Sequence, residues 1–272
     1  MNKESFFISR FSDNRIGDDG VRIDKKVYSM DAFFENVHFK REWMTLKQIA
    51  QKAMLVNLSD AIAMNARPRY ALLSVAIPPS FSLKQLEELA EGFLETARAY
   101  NVAIVGGDTI ANVKLDISIT IISECDRPLN RKGLRRGDWL AYTGDLGRSA
   151  RDLRRLMRGG YVGSHSRFMH PTLRKAFMEK AGQWLSGGMD ISDGLGTELS
   201  RLSRINRSGY RFVKSINKQA LCSGEEYEML ISFPNRHRHK IARIARQTRT
   251  PLNIIAKSCR GSYRSHCKQH HF

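Results

Sequence analysis

One stretch constrains the fold more than any other: within a helical run over residues 46–65, the segment KAMLVNLSDAIAMNA (52–66) is apolar nearly all round. Such a helix belongs in an interior rather than half-buried on a surface. Asp60 nevertheless sits in its middle, with Asn57 one turn back on the same face. A buried carboxylate without compensation costs several kcal/mol, so Asp60 needs a cation, a metal or a set of donors. A helix cap or an arginine-paired aspartate is the competing structural explanation.

The rest of the chain alternates strands and helices. Val21–Ile23 and Lys26–Met30 read as short strands around an Asp24-Lys25 turn, with Asp31 ending the second. Residues 70–77 form a strand closed by Pro78 and Pro79. Leu83, Leu86, Leu89, Phe93, Ala97 and Tyr100 then recur at helical spacing. A strand over 102–105 runs into Gly106-Gly107-Asp108-Thr109, and 115–122 alternates as a strand should. Composition changes around Cys125 to Pro128, which predicts two domains, 1–126 and 127–272. The second half offers a strand at 139–143, a basic helix around 150–158, a helix after Pro171, a helix ending near Asn206, a strand over 226–233 and a basic helix over 236–247. The mixture predicts an α/β (α+β) fold with two lobes.

Further carboxylates stand where structure alone does not demand them. Asp19 lies in Asp18-Asp19-Gly20, which is also ordinary turn chemistry. Two glycines after an apolar strand let backbone N–H groups approach a phosphate beside Asp108. Asp190 and Asp193 precede a helix, and a capping role explains one of them but not obviously both. Together Asp19, Asp31, Asp60, Asp108, Asp190 and Asp193 suit a distributed Mg²⁺ site, because Mg²⁺ takes hard oxygen ligands shared between carboxylates and phosphates. No Cys/His set has zinc spacing. The four cysteines, Cys125, Cys222, Cys259 and Cys267, are scattered and read as reduced thiols.

Charge is unevenly spread. Residues 1–126 hold 15 Lys/Arg and 17 Asp/Glu, and residues 127–272 hold 30 and 10, within a chain of net +18. A basic half fits either a polyanion binder or an enzyme of anionic substrates. The basic runs at 151–158 and 236–240 are not interleaved with aromatic residues, which makes specific nucleic-acid binding the weaker reading. No apolar run is long enough to span a membrane and the amino terminus has no secretory apolar region, so the expectation is a cytoplasmic protein without membrane contact.

In order along the chain, Gly17-Asp18-Asp19, Met30-Asp31 with Glu35-Asn36-Val37-His38-Phe39, Asn57-Leu58-Ser59-Asp60, Gly106-Gly107-Asp108-Thr109, Thr143-Gly144-Asp145-Leu146-Gly147, Met189-Asp190-Ile191-Ser192-Asp193-Gly194 and Ser223-Gly224-Glu225-Glu226-Tyr227 make the sequence resemble the thiamine-monophosphate kinase family. That family is related to aminoimidazole ribonucleotide synthetase. The resemblance implies a two-lobed synthetase-like fold, each lobe a mixed sheet packed with helices, and a homodimer paired through the amino-terminal lobes. It implies ATP- and Mg²⁺-dependent phosphorylation of thiamine monophosphate to thiamine diphosphate. By motif, the six aspartates would bind several Mg²⁺ ions, Gly107, Asp108, Arg131 and Ser192 would contact ATP, and His38 and Glu225 would contact thiamine monophosphate. No residue is implied as a general base.

The chain departs from the family pattern at Met30, where a hydroxyl residue is common, at Glu226 in place of aspartate, and at Gln269 in place of an aromatic residue. Two alternatives stand beside this reading. Another ATP-dependent enzyme of the superfamily is disfavoured because the first 124 residues lack the cysteine that several relatives use. The other is a basic nucleic-acid-binding protein on an inactive kinase scaffold.

Overall fold

The computed structural model describes residues 3–268. Its helices are α1 (Lys3–Ile8), α2 (Leu46–Ala63), α3 (Leu83–Tyr100), α4 (Arg148–Met157), α5 (Lys175–Ala181), α6 (Leu195–Asn206), α7 (Lys218–Cys222) and α8 (Arg238–Gln247). A first five-stranded sheet comprises β1 (Val21–Ile23), β2 (Lys26–Phe34), β3 (Arg67–Ile77), β4 (Ala103–Ala111) and β5 (Asp116–Glu124), in the order β1-β2-β5-β3-β4. Only β3 and β4 run parallel, and α3 crosses between them. A second sheet, antiparallel throughout, comprises β6 (Trp139–Thr143), β7 (Gly187–Asp190), β8 (Gly209–Phe212), β9 (Met229–Phe233) and β10 (Leu252–Cys259), in the order β7-β9-β6-β10-β8. The mixed α/β arrangement read from the sequence is the one observed.

Helix α2 ties the two sheets together. It starts at a capping box, in which the Thr45 side chain accepts from the Gln48 backbone N–H and the Gln48 side chain accepts from that of Thr45. Ile49, Met54, Leu55, Leu58 and Ile62 are buried around its circumference. Strands β2 and β5 cover one side, α3 another, and β7 and α5 from the second half a third. The approach of α3 is close enough that a Cβ at Gly92 would fall 2.3 Å from the Lys47 carbonyl oxygen. The sheet supplies its inner face by alternation: Val27, Ser29 and Phe33 of β2 and Ile117, Ile119 and Ile121 of β5 point inward, while Met30 and Phe34 point out.

Several local readings change: strand β2 runs on past Asp31 to Phe34, and Gly187–Asp190 forms strand β7. Gly106-Gly107-Asp108-Thr109 is not a loop after a strand but the body of β4, in parallel register with Leu72–Val75 of β3. Gly107 has φ +147° and an added Cβ would lie 1.7 Å from the Leu73 carbonyl oxygen, so glycine serves strand packing there. Strand β9 begins at Met229 rather than 226, because Glu225 and Tyr227 adopt φ values of +54° and +52° that extended chain cannot hold. Strands β8 and β10 were not anticipated, since exposed and polar positions interrupt their alternation. Finally, Cys222 and Cys267 are not free thiols: they form a disulfide with Cα atoms 5.4 Å apart. Only the fold brings residues 45 apart in sequence into bonding range, and closing a loop of that length removes about 4 kcal/mol of chain entropy from the unfolded state. Cys125 and Cys259 are free. Among the described residues no helix is long and apolar enough to cross a membrane. Gln269 lies outside the described residues.

Candidate active site

The buried helix, the segment before β1 and the end of β7 meet at three aspartates. One carboxylate oxygen from each of Asp19, Asp60 and Asp190 lies within 4.8 Å of the others. Ser59 Oγ donates to Asp190 Oδ2 at 2.7 Å. Burial, then the charges of Asp31, Asp190 and Asp19, pushes the Asp60 carboxyl well above the usual carboxylate range. Burial and the neighbouring Asp19 do the same to Asp190. Asp19 is raised by burial as well, against the pull of Arg131.

Arg131 is the cation beside this cluster. Its Nη2 and Nε donate to Asp19 Oδ1, Nη1 donates to the Gly17 carbonyl at 3.0 Å, and its backbone N–H donates to Asp18 Oδ1 at 2.6 Å. Burial would lower the guanidinium, but Asp19, Glu198 and Asp190 outweigh it and hold the charge in place. Asp31 borders the group: its backbone N–H donates to Asn57 Oδ1 at 2.7 Å, which pins β2 to α2 one turn from Asp60.

The other expected residues are distributed. Asp193 accepts from Arg201 Nη2 at 3.1 Å, and its backbone N–H donates to Glu198 Oε1 at 3.2 Å. Glu198 is fully buried, and burial pushes it up to about 7 although Arg201 Nη1 donates to it at 2.6 Å. The Ser192 carbonyl accepts from the Glu225 N–H at 2.6 Å. His38 Nδ1 accepts from the Phe34 N–H at 3.0 Å, and its ring stacks on Phe33 with centroids 5.5 Å apart. Gly107 and Asp108 lie on the exposed edge strand β4, and Asp108 is not one of the three clustered carboxylates. Met30 faces the outer side of the sheet, opposite Asp31, so only its backbone is available on the inner side.

Several residues of the site were not singled out from sequence. Ser59 partners Asp190, and Glu198 and Arg201 partner Asp193. Lys52 is fully buried and donates to Glu225 Oε2 at 2.8 Å. The signal for Lys52 was the same as for Asp60, a charge inside the apolar helix. Glu228 accepts Arg174 Nε and Nη2 at 2.6 Å each, together with Thr143 Oγ1 at 2.7 Å, and so braces the loop before α5 against β6 and β9.

The model of "AIR synthase related protein, N-terminal domain" matches residues 17–125. The thiamine-monophosphate kinase of Rhodopirellula baltica is 35% identical over 207 residues, 71% of this chain and 62% of that protein. That of Aquifex aeolicus is 28% identical over 249 residues, 80% of each chain. The chain is similar to these thiamine-monophosphate kinases. The solved structure of AaThiL complexed with AMPPCP and TMP superposes with a TM-score of 0.88 at 23% identity, covering 99% of this chain and 96% of that one. The likeness establishes the two-sheet fold of this chain. In this chain α2 carries Asp60 and Ser59 towards Asp190 of the second sheet.

Proposed function

We propose that this chain transfers the γ-phosphoryl group of ATP, in line, onto the phosphate of thiamine monophosphate, giving thiamine diphosphate. The observation that carries the reading is the triad of Asp19, Asp60 and Asp190. Three largely buried carboxylates at that spacing raise one another's affinity for positive charge, and hard oxygens alone form the donor set, which suits Mg²⁺. Asp19, Asp31, Asp60 and Asp190 would hold the metal, with Asp193 and Asp108 as the outlying members read from the sequence. When bound, Mg²⁺ neutralises phosphate charge.

The chain's own residues answer the electrostatic problem. One pair of unit charges 4 Å apart repels by about 4 kcal/mol at an effective dielectric of 20, and two polyanions bring several such pairs together. The attacking phosphate oxygen is already anionic, so no residue acts as general base. Arg131, held charged at the triad, is placed to meet ATP phosphates, with Ser192, Gly107 and Asp108 as the other expected ATP contacts. Glu225 and His38 would orient the thiamine end. The surplus of basic residues in the second half favours arrival of anionic substrates. We assign residues 1–126 and 127–272 to two lobes in a cytoplasmic enzyme.

We infer a homodimer paired through the first sheet. Met30, Phe34, Tyr70 and Leu72 are exposed on its outer face, and Val105 and Ile110 on the adjoining edge strand β4, an apolar surface that a second copy would cover. Light scattering should give twice the mass calculated from the sequence, and Leu72→Lys should yield monomer; a monomeric parent protein removes the assignment. The activity is tested by incubating purified protein with ATP, Mg²⁺ and thiamine monophosphate. Thiamine diphosphate and ADP should form in equal amounts, and folded protein that yields neither refutes the reading.

A further inference from the structure

Lys52 is the one basic side chain inside the apolar stretch of α2, and it is fully buried. Its ammonium lies 3.6 Å from the ring centroid of Phe168 and 5.6 Å from that of Phe33. Its ion-pair partner is Glu225, 173 residues away, at 2.8 Å. Nothing in helix formation requires a lysine there, and burial drives its amine towards the neutral form while Glu225 opposes that. A methionine or leucine would fill the same space without a desolvation cost. The residue therefore stands at a position where the pair, rather than packing, gives the reason for its charge.

Glu225 needs holding. It adopts a left-handed backbone at φ +54°, and its N–H is tied to the Ser192 carbonyl at 2.6 Å. Its side chain keeps 23% of its surface exposed, and the Lys52 contact uses Oε2, leaving Oε1 outside the pair. Phe33, the more distant of the two rings beside Lys52, stacks with His38. Lys52 thus connects the carboxylate and the rings that bear His38, across the junction of the two halves.

We propose that Lys52 is a positioning residue that fixes the Glu225 side chain in place, so that Glu225 and the His38–Phe33 stack together select a cationic heteroaromatic substrate. This deepens the kinase reading and rests on it. A thiazolium-bearing ring is both flat and positively charged, and it matches a carboxylate beside stacked rings. Lys52 itself does not touch the substrate in this arrangement.

The test is Lys52→Met beside Lys52→Arg in the full-length protein. For Lys52→Met, KM for thiamine monophosphate should rise at least about tenfold, the usual consequence of leaving one member of a partly buried charged pair alone. KM for ATP should stay within about twofold, because uniform damage to the site would move both. Lys52→Arg should recover most of the thiamine monophosphate KM. A readout without turnover is calorimetric titration of thiamine monophosphate into metal-free protein, where Lys52→Met should bind at least about tenfold more weakly and Glu225→Gln should not weaken the double variant further. Unchanged thiamine monophosphate binding, equal rises in both KM values, or additive losses in the double variant overturn the proposal. Should Lys52→Met fail to fold, the comparison of Lys52→Arg with Glu225→Gln decides it: parental binding in both refutes the role. The two readings fail separately, since parent protein that binds thiamine monophosphate without forming thiamine diphosphate refutes the activity alone.

Discussion

Asp60→Asn should lower turnover by about a hundredfold or more and, in the absence of metal, raise thermal stability. The two effects share one cause. Asp60 is a largely buried carboxylate within 4.8 Å of Asp19 and Asp190, and Asp31 adds to the repulsion. Replacing the charge by an amide of the same shape relieves repulsion and desolvation together, worth on the order of 2 kcal/mol, or roughly 4–8 °C in a chain of this size. The same change removes an anionic oxygen from the proposed Mg²⁺ site, so activity falls although the fold is more stable. Calorimetry in EDTA and thiamine diphosphate formation, measured on one preparation, check both halves. A variant that is less stable and less active in proportion would make Asp60 a structural residue; a variant of near-normal turnover would remove it from the metal site.

That opposition explains why Asp60 was legible in the sequence while other parts of the site were not. A carboxylate inside an apolar helix has no local reason to exist, so its position alone signals chemistry. Lys52 carried the same signal eight positions earlier, but a long aliphatic stem is easily read as ordinary amphipathic packing. Asp190 and Asp19 looked like turn and capping chemistry, and only the meeting of β7, α2 and the segment before β1 distinguishes them. Local pattern misled at Gly106-Gly107, because a glycine pair signals a turn unless a neighbouring strand occupies the space where a Cβ would go, as β3 does at Gly107. The Cys222–Cys267 bond and the Arg131–Asp19 pair depend on contacts 45 and 112 residues apart, which no window along the chain contains.

Without metal, stability should fall as pH rises from about 4 towards 8, and Mg²⁺ should flatten part of that slope. The sign follows from the direction of the shifts. Asp60, Asp190 and Glu198 hold their protons more tightly in the folded chain than in the unfolded one. Each contribution is present below the unfolded value and is lost as pH climbs through the folded value. For Glu198 the window runs from 4.5 to about 7. For the two aspartates it opens at the ordinary value of 3.8 and extends well above it. Each group contributes at most about 1.4 kcal/mol per pH unit, so the Mg²⁺-free melting temperature should drop by several degrees per unit across the overlap. On the proposed reading Mg²⁺ binds the ionised aspartates and should stabilise only where they are charged: at a hundred times its dissociation constant it should add about 2.7 kcal/mol at pH 8 and much less at pH 5. Glu198 is paired with Arg201 and lies outside the triad, so its share of the slope should persist in Mg²⁺ and disappear in Glu198→Gln. Melting curves at four pH values, with EDTA and with Mg²⁺, separate the two contributions. A Mg²⁺ shift of equal size at pH 5 and pH 8 would mean that the ion binds somewhere other than these carboxylates.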